Sequence, residues 1–180
     1  MKKLALTDFA KYRYPSALEL SPDGRYLTFA LKEVDREGDG YRWNLWLYDL
    51  ESRESRQITR GDDQRQAVWE DNTHILYKTT ELDEAMRARG FEEEWTVYHR
   101  LNVCTGEECE AFRLPMSVSG LWKMDEGRYV FTGETHLDRP NLLELTGEAL
   151  EKELVRRQQT KGYKVLTELP LCENGVGMFN

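Results

Sequence analysis

Serine, histidine, cysteine and glutamate are the side chains of this 180-residue chain that could carry nucleophilic or acid–base chemistry, and their spacing decides which of them can act. A hydrolase serine is usually presented by Gly-x-Ser-x-Gly on a strand-to-helix turn, where its hydroxyl stands beside an oxyanion hole. No such pentapeptide occurs. The nearest cluster, Ser117-Val118-Ser119-Gly120, lacks the first glycine and falls between strand-like runs, so it reads as structural. His74, His99 and His136 could each serve as a base. None has an activated serine beside it in sequence, and all three read as ordinary strand or loop histidines. No position is assigned a catalytic role.

Cys104, Cys109 and Cys172 match no metal-ligand spacing, and no histidine lies close enough to complete a zinc motif. They read as reduced cytosolic thiols. The hairpin spacing of Cys104 and Cys109 leaves a cross-strand disulfide open if the compartment is oxidising. No cofactor and no metal is expected. Glu92-Glu93-Glu94 is an acidic run that reads as a solvated face, with Arg87 and Arg89 as its candidate partners. Trp43, Trp46, Trp69, Trp95 and Trp122 read as packing residues of pleated, half-buried surfaces. Trp43, beside a loop, is the one best placed to stack on a ligand.

The net charge of -8, with no clustered run of Lys or Arg, argues against a nucleic-acid or anionic-membrane binder. The apolar stretch after Met1-Lys2-Lys3 stops at Thr7-Asp8, too soon for a signal segment, and no stretch is long enough to span a bilayer. A cytoplasmic protein is expected. With 39% hydrophobic and 11% aromatic residues the chain can build a core.

The elements that position these residues come from a repeat. An apolar strand, an acidic turn and an aromatic-rich strand recur three times, most clearly in Leu18-Glu19-Leu20-Ser21-Pro22-Asp23-Gly24-Arg25-Tyr26-Leu27-Thr28-Phe29-Ala30. The second copy runs from Ala67 to Tyr77 and the third from Leu121 to Phe131, with Phe29, Tyr77 and Phe131 in equivalent places. Several short strands repeating every ~40–50 residues are the pattern of propeller blades. The expected fold is all-β: an incomplete propeller of about three blades of four-stranded antiparallel sheet, at approximately 15–62, 63–117 and 118–180, with a short inserted helix.

Within that frame, residues 6–14 read as a short helix capped by Thr7 or Asp8 and stopped by Pro15. Residues 17–20 and 25–31 form a hairpin about Ser-Pro-Asp-Gly, residues 34–41 an exposed loop, 43–48 a strand and 55–59 the outer strand. The second blade uses 67–69, 73–79, 95–103 and 109–114, with helical turns in 83–90. Residues 46–50 align with 98–103 if the latter hold one inserted residue. The third blade opens with 118–123 and 128–133. Residues 147–160 follow as a helix with Leu150, Leu154 and Val155 on one face and Glu148/Lys152 and Glu153/Arg157 pairs elsewhere. Residues 163–169 return to strand character before a turn at Asn174-Gly175-Val176-Gly177. Propellers close with about four to eight blades, so a three-blade arc leaves sheet faces uncovered. The sequence therefore reads as the N-terminal portion of a longer protein, or as one that closes by association.

Three segments carry a family resemblance: residues 21–29, Leu45-Trp46-Leu47-Tyr48-Asp49-Leu50 followed by Arg56-Gln57-Ile58-Thr59, and residues 163–170 followed by Asn174-Gly175. Together they resemble the N-terminal propeller of the prolyl oligopeptidase (S9) family of serine peptidases, in its acylaminoacyl-peptidase and dipeptidyl-aminopeptidase-like branch. The resemblance implies a propeller over a C-terminal α/β-hydrolase domain, absent from this chain, that admits only short peptides or acylaminoacyl substrates. Relatives that release N-terminal dipeptides hold the substrate amine with propeller glutamates, which gives Glu92, Glu93 and Glu94 a second reading. The implied partners are that hydrolase domain and a peptide substrate. The alternative is a stand-alone interaction module that closes as a homo-oligomer.

Overall fold

The computed structural model describes residues 6–35, 40–61, 63–125, 127–134, 139–160, 171–173 and 177–179. Two units compose it, Met1–Asn141 and Leu142–Asn180. In the first, β1 (Tyr14–Leu20), β2 (Tyr26–Asp35), β3 (Gly40–Asp49) and β4 (Glu54–Gln57) form an antiparallel sheet in chain order. A second antiparallel sheet repeats that order with β5 (Ala67–Trp69), β6 (His74–Leu82), β7 (Glu94–Asn102) and β8 (Glu108–Leu114). A third pairs β9 (Ser117–Lys123) with β10 (Tyr129–Glu134).

Turn chemistry sets these hairpins. In the first, the Ser21 hydroxyl donates to Asp23 Oδ1 at 2.6 Å and accepts from the Tyr26 N–H at 2.8 Å. Gly24 sits at φ +74°, a conformation that costs any L-residue with a Cβ. The same closure recurs: Ser21, Glu70 and Met124 each donate a backbone N–H to the carbonyl of the residue that ends the turn, Tyr26, His74 and Arg128. Leu20↔Leu27, Trp69↔Ile75 and Lys123↔Tyr129 are therefore equivalent pairs. Counting two further residues along each second strand puts Phe29, Tyr77 and Phe131 in register, as the sequence implies.

The other hairpin of each full sheet also repeats. Asp49 Oδ1 accepts the N–H groups of Glu51 and Ser52. Asn102 Oδ1 accepts those of Cys104 and Thr105. Asp49 and Asn102 also face Tyr26 and His74 across the ladder. That register aligns Asp49 with Asn102 directly, so the expected inserted residue in 98–103 is not there.

Two clusters bind the sheets face to face. Ala30, Leu45 and Leu47 of the first sheet pack with Ala67, Trp69, Ile75, Tyr77, Leu101 and Val103 around the second. Leu76 and Tyr98, on the opposite face of the second sheet, pack with Val118 and Leu121 of the third. Each fully buried aliphatic side chain of this kind contributes about 1.5–3 kcal/mol over exposure. Between sheets, β1 meets β5 and β5 meets β9, and β2 with β5 and β7 with β9 are also in contact.

Several local expectations change. The first helix is a 3-10 turn, Leu6–Lys11, so Thr7 and Asp8 lie inside it; Asp8 pairs with Lys11 at 2.5 Å. Pro15 lies in β1, where an edge strand tolerates its missing donor. A bulge between Ser16 and Glu19, with Ala17 at φ +49°, bends that strand. The loop expected at 34–41 is shorter: Val34 pairs with Tyr41 and Asp35 with Gly40. Ser117, Val118, Ser119 and Gly120 lie within β9 rather than between strands.

In the second unit, a 3-10 turn, Leu142–Glu144, precedes α2 (Gly147–Gln159), and β11 (Leu171–Glu173) pairs with β12 (Gly177–Phe179). Leu154 is buried, but Val155 is exposed and Glu153 takes the buried position beside Leu154. Glu153 can be buried because Arg156 and Arg157 both donate to its carboxylate, the former through two bonds of 2.7 Å. Those bonds, offset in part by burial, hold its carboxyl down at about 2. The expected strand at 163–169 and the 174–176 part of the final turn lie outside the described residues.

Candidate functional site

The first strands of the three sheets share one wall, and a cleft of about 220 Å³ opens along it, lined by Glu19 and Leu20 of β1, Val68 and Trp69 of β5, and Trp122 and Lys123 of β9. Its floor is tied across sheets. The Trp69 indole N–H donates to the Glu19 carbonyl at 3.2 Å, and the Lys123 ammonium donates to the Glu70 carbonyl. Trp122 is half exposed, and its ring lies across Gly120, 2.5 Å from where a Cβ would stand. Glycine there lets the indole lie against the strand. Trp43, expected to be the exposed tryptophan, is instead covered by cations: Arg65 lies 4.1 Å and Lys32 5.3 Å from its ring centre.

Glu70 joins the second sheet to the third at the turn end of this wall. Arg100 donates two bonds to its carboxylate, and the Tyr129 hydroxyl donates a third at 2.6 Å. Burial raises the Glu70 carboxyl, but the bonds from Arg100 and Tyr129 outweigh it, and the net shift is downward. The Tyr129 phenol is pushed up to about 12 by burial and by Glu70. Lys78 donates to the Val118 carbonyl across the same interface, and burial pushes its ammonium down.

His74 and His99 belong to hydrogen-bonded networks. His74 Nδ1 meets Asp71 at 2.9 Å and its Nε2 faces the Asn102 amide at 3.2 Å. Burial raises Asp71, but the backbone N–H groups of Thr73 and His74 and the side chains beside them take its carboxyl down to about 2. His99 stacks on Tyr77 with ring centres 5.4 Å apart. Its Nε2 lies 3.0 Å from the Thr79 hydroxyl and its Nδ1 3.3 Å from Glu108. A hydroxyl, an imidazole and a carboxylate in series are the parts of a nucleophile relay. Thr79, however, sits within β6, paired with Val97, on no strand-to-helix elbow that would present its oxygen to a substrate. The series holds β6 to β7 and β8. Sequence spacing could not have found it, because Thr79 and Glu108 meet His99 only through strand pairing. His136 lies outside the described residues.

Glu92 and Glu93 follow α1 (Glu84–Ala88) in the β6–β7 connection and Glu94 opens β7 opposite Leu82, at the end of the second sheet away from Glu70. Asp83 caps α1, accepting from the Met86 N–H at 3.0 Å and from the Trp95 indole at 3.1 Å. The Glu93 carbonyl accepts the Asp83 N–H, while Glu92 and Glu94 are exposed. Arg87 pairs with Glu84 rather than with this run. Cys104 and Cys109 are exposed free thiols, so the disulfide that their spacing left open is not formed. Among the described residues no group of three or more acidic, histidine or cysteine side chains could hold a metal ion, and no helix is long and apolar enough to cross a membrane.

No family model matches the sequence, and no curated protein matches it. Among solved structures, the chain is similar to the acylaminoacyl peptidase of Pyrococcus horikoshii, with a TM-score of 0.52 and 15% identity over 71% of this chain and 18% of that one. It is also similar to the β-propeller domain of the Trilobed protease from Pyrococcus furiosus, which has an open velcro topology, with a TM-score of 0.49 and 14% identity over 68% of this chain and 34% of that one. The chain thus spans about a third or less of either structure. At 15% identity the likeness to the peptidase is one of fold, and it agrees with three successive antiparallel sheets packed face to face. The fold is an incomplete β-propeller. In a propeller, the wall formed by β1, β5 and β9 faces the central channel.

Proposed function

We propose that this chain supplies the first blades, at approximately 15–62, 63–117 and 118–180, of the propeller of a serine peptidase of the prolyl oligopeptidase type. Its role is to gate and position short peptide or acylaminoacyl substrates for an α/β-hydrolase domain outside this sequence. The observation that carries this reading is the cleft where the first strands of the three sheets meet, with Glu19, Leu20, Trp122 and Lys123 in its lining and no serine, threonine or cysteine among the lining residues. Such a cleft can sort and orient a ligand but cannot cleave it. The S9-like segments of the sequence and the likeness in fold to an acylaminoacyl peptidase support the assignment. The protein would act in the cytoplasm, with Glu92 and Glu94 free to meet a substrate amine in the assembled enzyme.

The test is hydrolysis of aminoacyl and acylaminoacyl chromogenic substrates by the purified chain. No turnover is expected. Turnover that co-purifies with the chain and is blocked by a fluorophosphonate would overturn the claim that the nucleophile lies elsewhere.

A second reading is favoured by one observation: the outer faces of the first and third sheets expose large apolar side chains, among them Leu20 at 53%, Trp122 at 50% and Val130 at 50%. In this reading the chain is an interaction module that covers those faces by association with further copies.

A further inference from the structure

A cavity of about 330 Å³ opens between the first and second sheets, bounded by β3, β4 and the β7–β8 turn. Both sheets belong to the first unit, and every lining residue lies in them or in their turns. The repeat register shows why space remains there. With Asp49 equivalent to Asn102, Leu47 takes the place of Arg100, and Ser21 takes that of Glu70. At the joint of the second and third sheets, Arg100 and Tyr129 meet on the Glu70 carboxylate and fill the gap. At the joint of the first and second, Leu47 has no group that could make such a bond, and the Ser21 hydroxyl is turned into its own hairpin by Asp23 and the Tyr26 N–H.

Several groups around this space have bonding capacity that the chain does not use. Glu54 and Arg56 stand two residues apart on β4, opposite Asp49 and Leu47, and so share the face that Leu47 turns to the second sheet. Arg56 donates one N–H to the Val103 carbonyl and keeps others on its guanidinium. Among the described residues no donor reaches the Glu54 carboxylate, and nothing bonds to the Ser52 or Ser55 hydroxyl. Asp49, the other carboxylate of the lining, is already held by Arg25 and by the Glu51 and Ser52 N–H groups. The floor is apolar: Leu47 is buried, and the Tyr26 ring stacks on Trp69 with centres 6.5 Å apart.

We propose that this cavity binds a small zwitterion, an α-amino acid with an apolar side chain. Its carboxylate meets Arg56, its ammonium meets Glu54, and its side chain lies on Leu47 and Tyr26. One guanidinium and one unpaired carboxylate on the same strand face match one carboxylate and one ammonium. A multiply charged anion would be repelled by Glu54 and Asp49, and a simple cation by Arg56. The volume sits at the small end of the ~300–1,000 Å³ range of ligand pockets, which suits a single amino acid better than a peptide. The site is separate from the cleft of the first strands, and the proposal goes beyond the peptidase reading without resting on it.

Cys104 supplies the readout. Its thiol lies in the lining and donates to the Tyr26 hydroxyl at 3.9 Å, whereas Cys109, also a free exposed thiol, lies on β8 outside the cavity. Alkylation of the two by iodoacetamide is timed by peptide mass spectrometry on the full 180-residue chain, with and without L-leucine at millimolar concentration. Leucine is expected to slow Cys104 severalfold and to leave Cys109 unchanged. N-acetyl-leucine, which lacks the ammonium, and leucine amide, which lacks the carboxylate, are expected to protect neither. Glu54→Gln and Arg56→Gln are each expected to abolish the protection. Because Arg56 also ties β4 to Val103, Glu54→Gln, at an exposed side chain with no partner to lose, decides the matter if Arg56→Gln loses its strand signal by circular dichroism. Leucine that slows neither thiol, or both alike, overturns the site. Equal protection by N-acetyl-leucine or leucine amide, or protection that survives Glu54→Gln, overturns the zwitterion assignment. Hydrolysis is not read in this experiment, so these outcomes leave the peptidase reading to its own test.

Discussion

Replacing Glu70 by glutamine removes the charge at the joint between the second and third sheets and leaves the shape nearly unchanged. The Glu70 side chain is 11% exposed and takes two bonds from Arg100, whose own side chain is 48% exposed. A fully exposed pair of this sort contributes about 0.2–1 kcal/mol, and removing one member of a fully buried pair costs about 3–5 kcal/mol. Arg100 regains water when released, and glutamine still accepts from Tyr129, so the expected cost lies low between those limits, at about 1–2 kcal/mol. In a chain of this length that is a fall in melting temperature of about 3–6 °C. The pH dependence follows from the direction of the shift. Burial raises the Glu70 carboxyl, the bonds from Arg100 and Tyr129 lower it further, and its folded value lies below its unfolded one. Its contribution is thus fully present above an unfolded value of about 4.3 and is lost as pH falls through the folded value. Urea unfolding of wild type and Glu70→Gln at pH 7 and through the acid range measures both effects. A deficit below about 0.3 kcal/mol at pH 7, or one that persists undiminished in acid, would refute the reasoning.

Leu45, fully buried between the first two sheets, should cost about 2–5 kcal/mol when cut to alanine, read by urea unfolding, and a cost near that of a surface change would deny that the sheets are packed as one body. Asp83→Ala should lose about 1 kcal/mol with its cap, speed amide exchange in residues 84–90 and alter Trp95 emission, because one carboxylate holds both; unchanged exchange would place the cap's role elsewhere. The Asp71 carboxyl should titrate near 2 in the folded protein when followed by NMR, and an ordinary aspartate midpoint would remove the turn network around Thr73 and His74.

Turn residues and strand alternation made most of the fold legible. Ser21-Pro22-Asp23-Gly24 needs little beyond local hydrogen bonds and one positive φ, and the turn it forms sets the register that makes Phe29, Tyr77 and Phe131 equivalent. The extent of β2 and β3 was harder to see, because the pairs Glu33↔Arg42 and Asp35↔Gly40 continue a ladder through charged and glycine residues that look like loop. In α2 periodicity alone put Val155 on the buried side. Glu153 displaced it because two arginines neutralise a carboxylate that burial would otherwise expel. Among site residues, Trp122, Glu19 and Lys123 converge only through contact of first strands on separate sheets, and nothing in their sequence neighbourhoods marks the cleft.

The most direct test of the central claim is capture of the native protein from its source cells with an antibody against residues 6–61, followed by its intact mass and its labelling with a fluorophosphonate. The account predicts a polypeptide several times heavier than 21.2 kDa that takes the label on a serine outside this sequence. A species of 21.2 kDa that takes no label would contradict it.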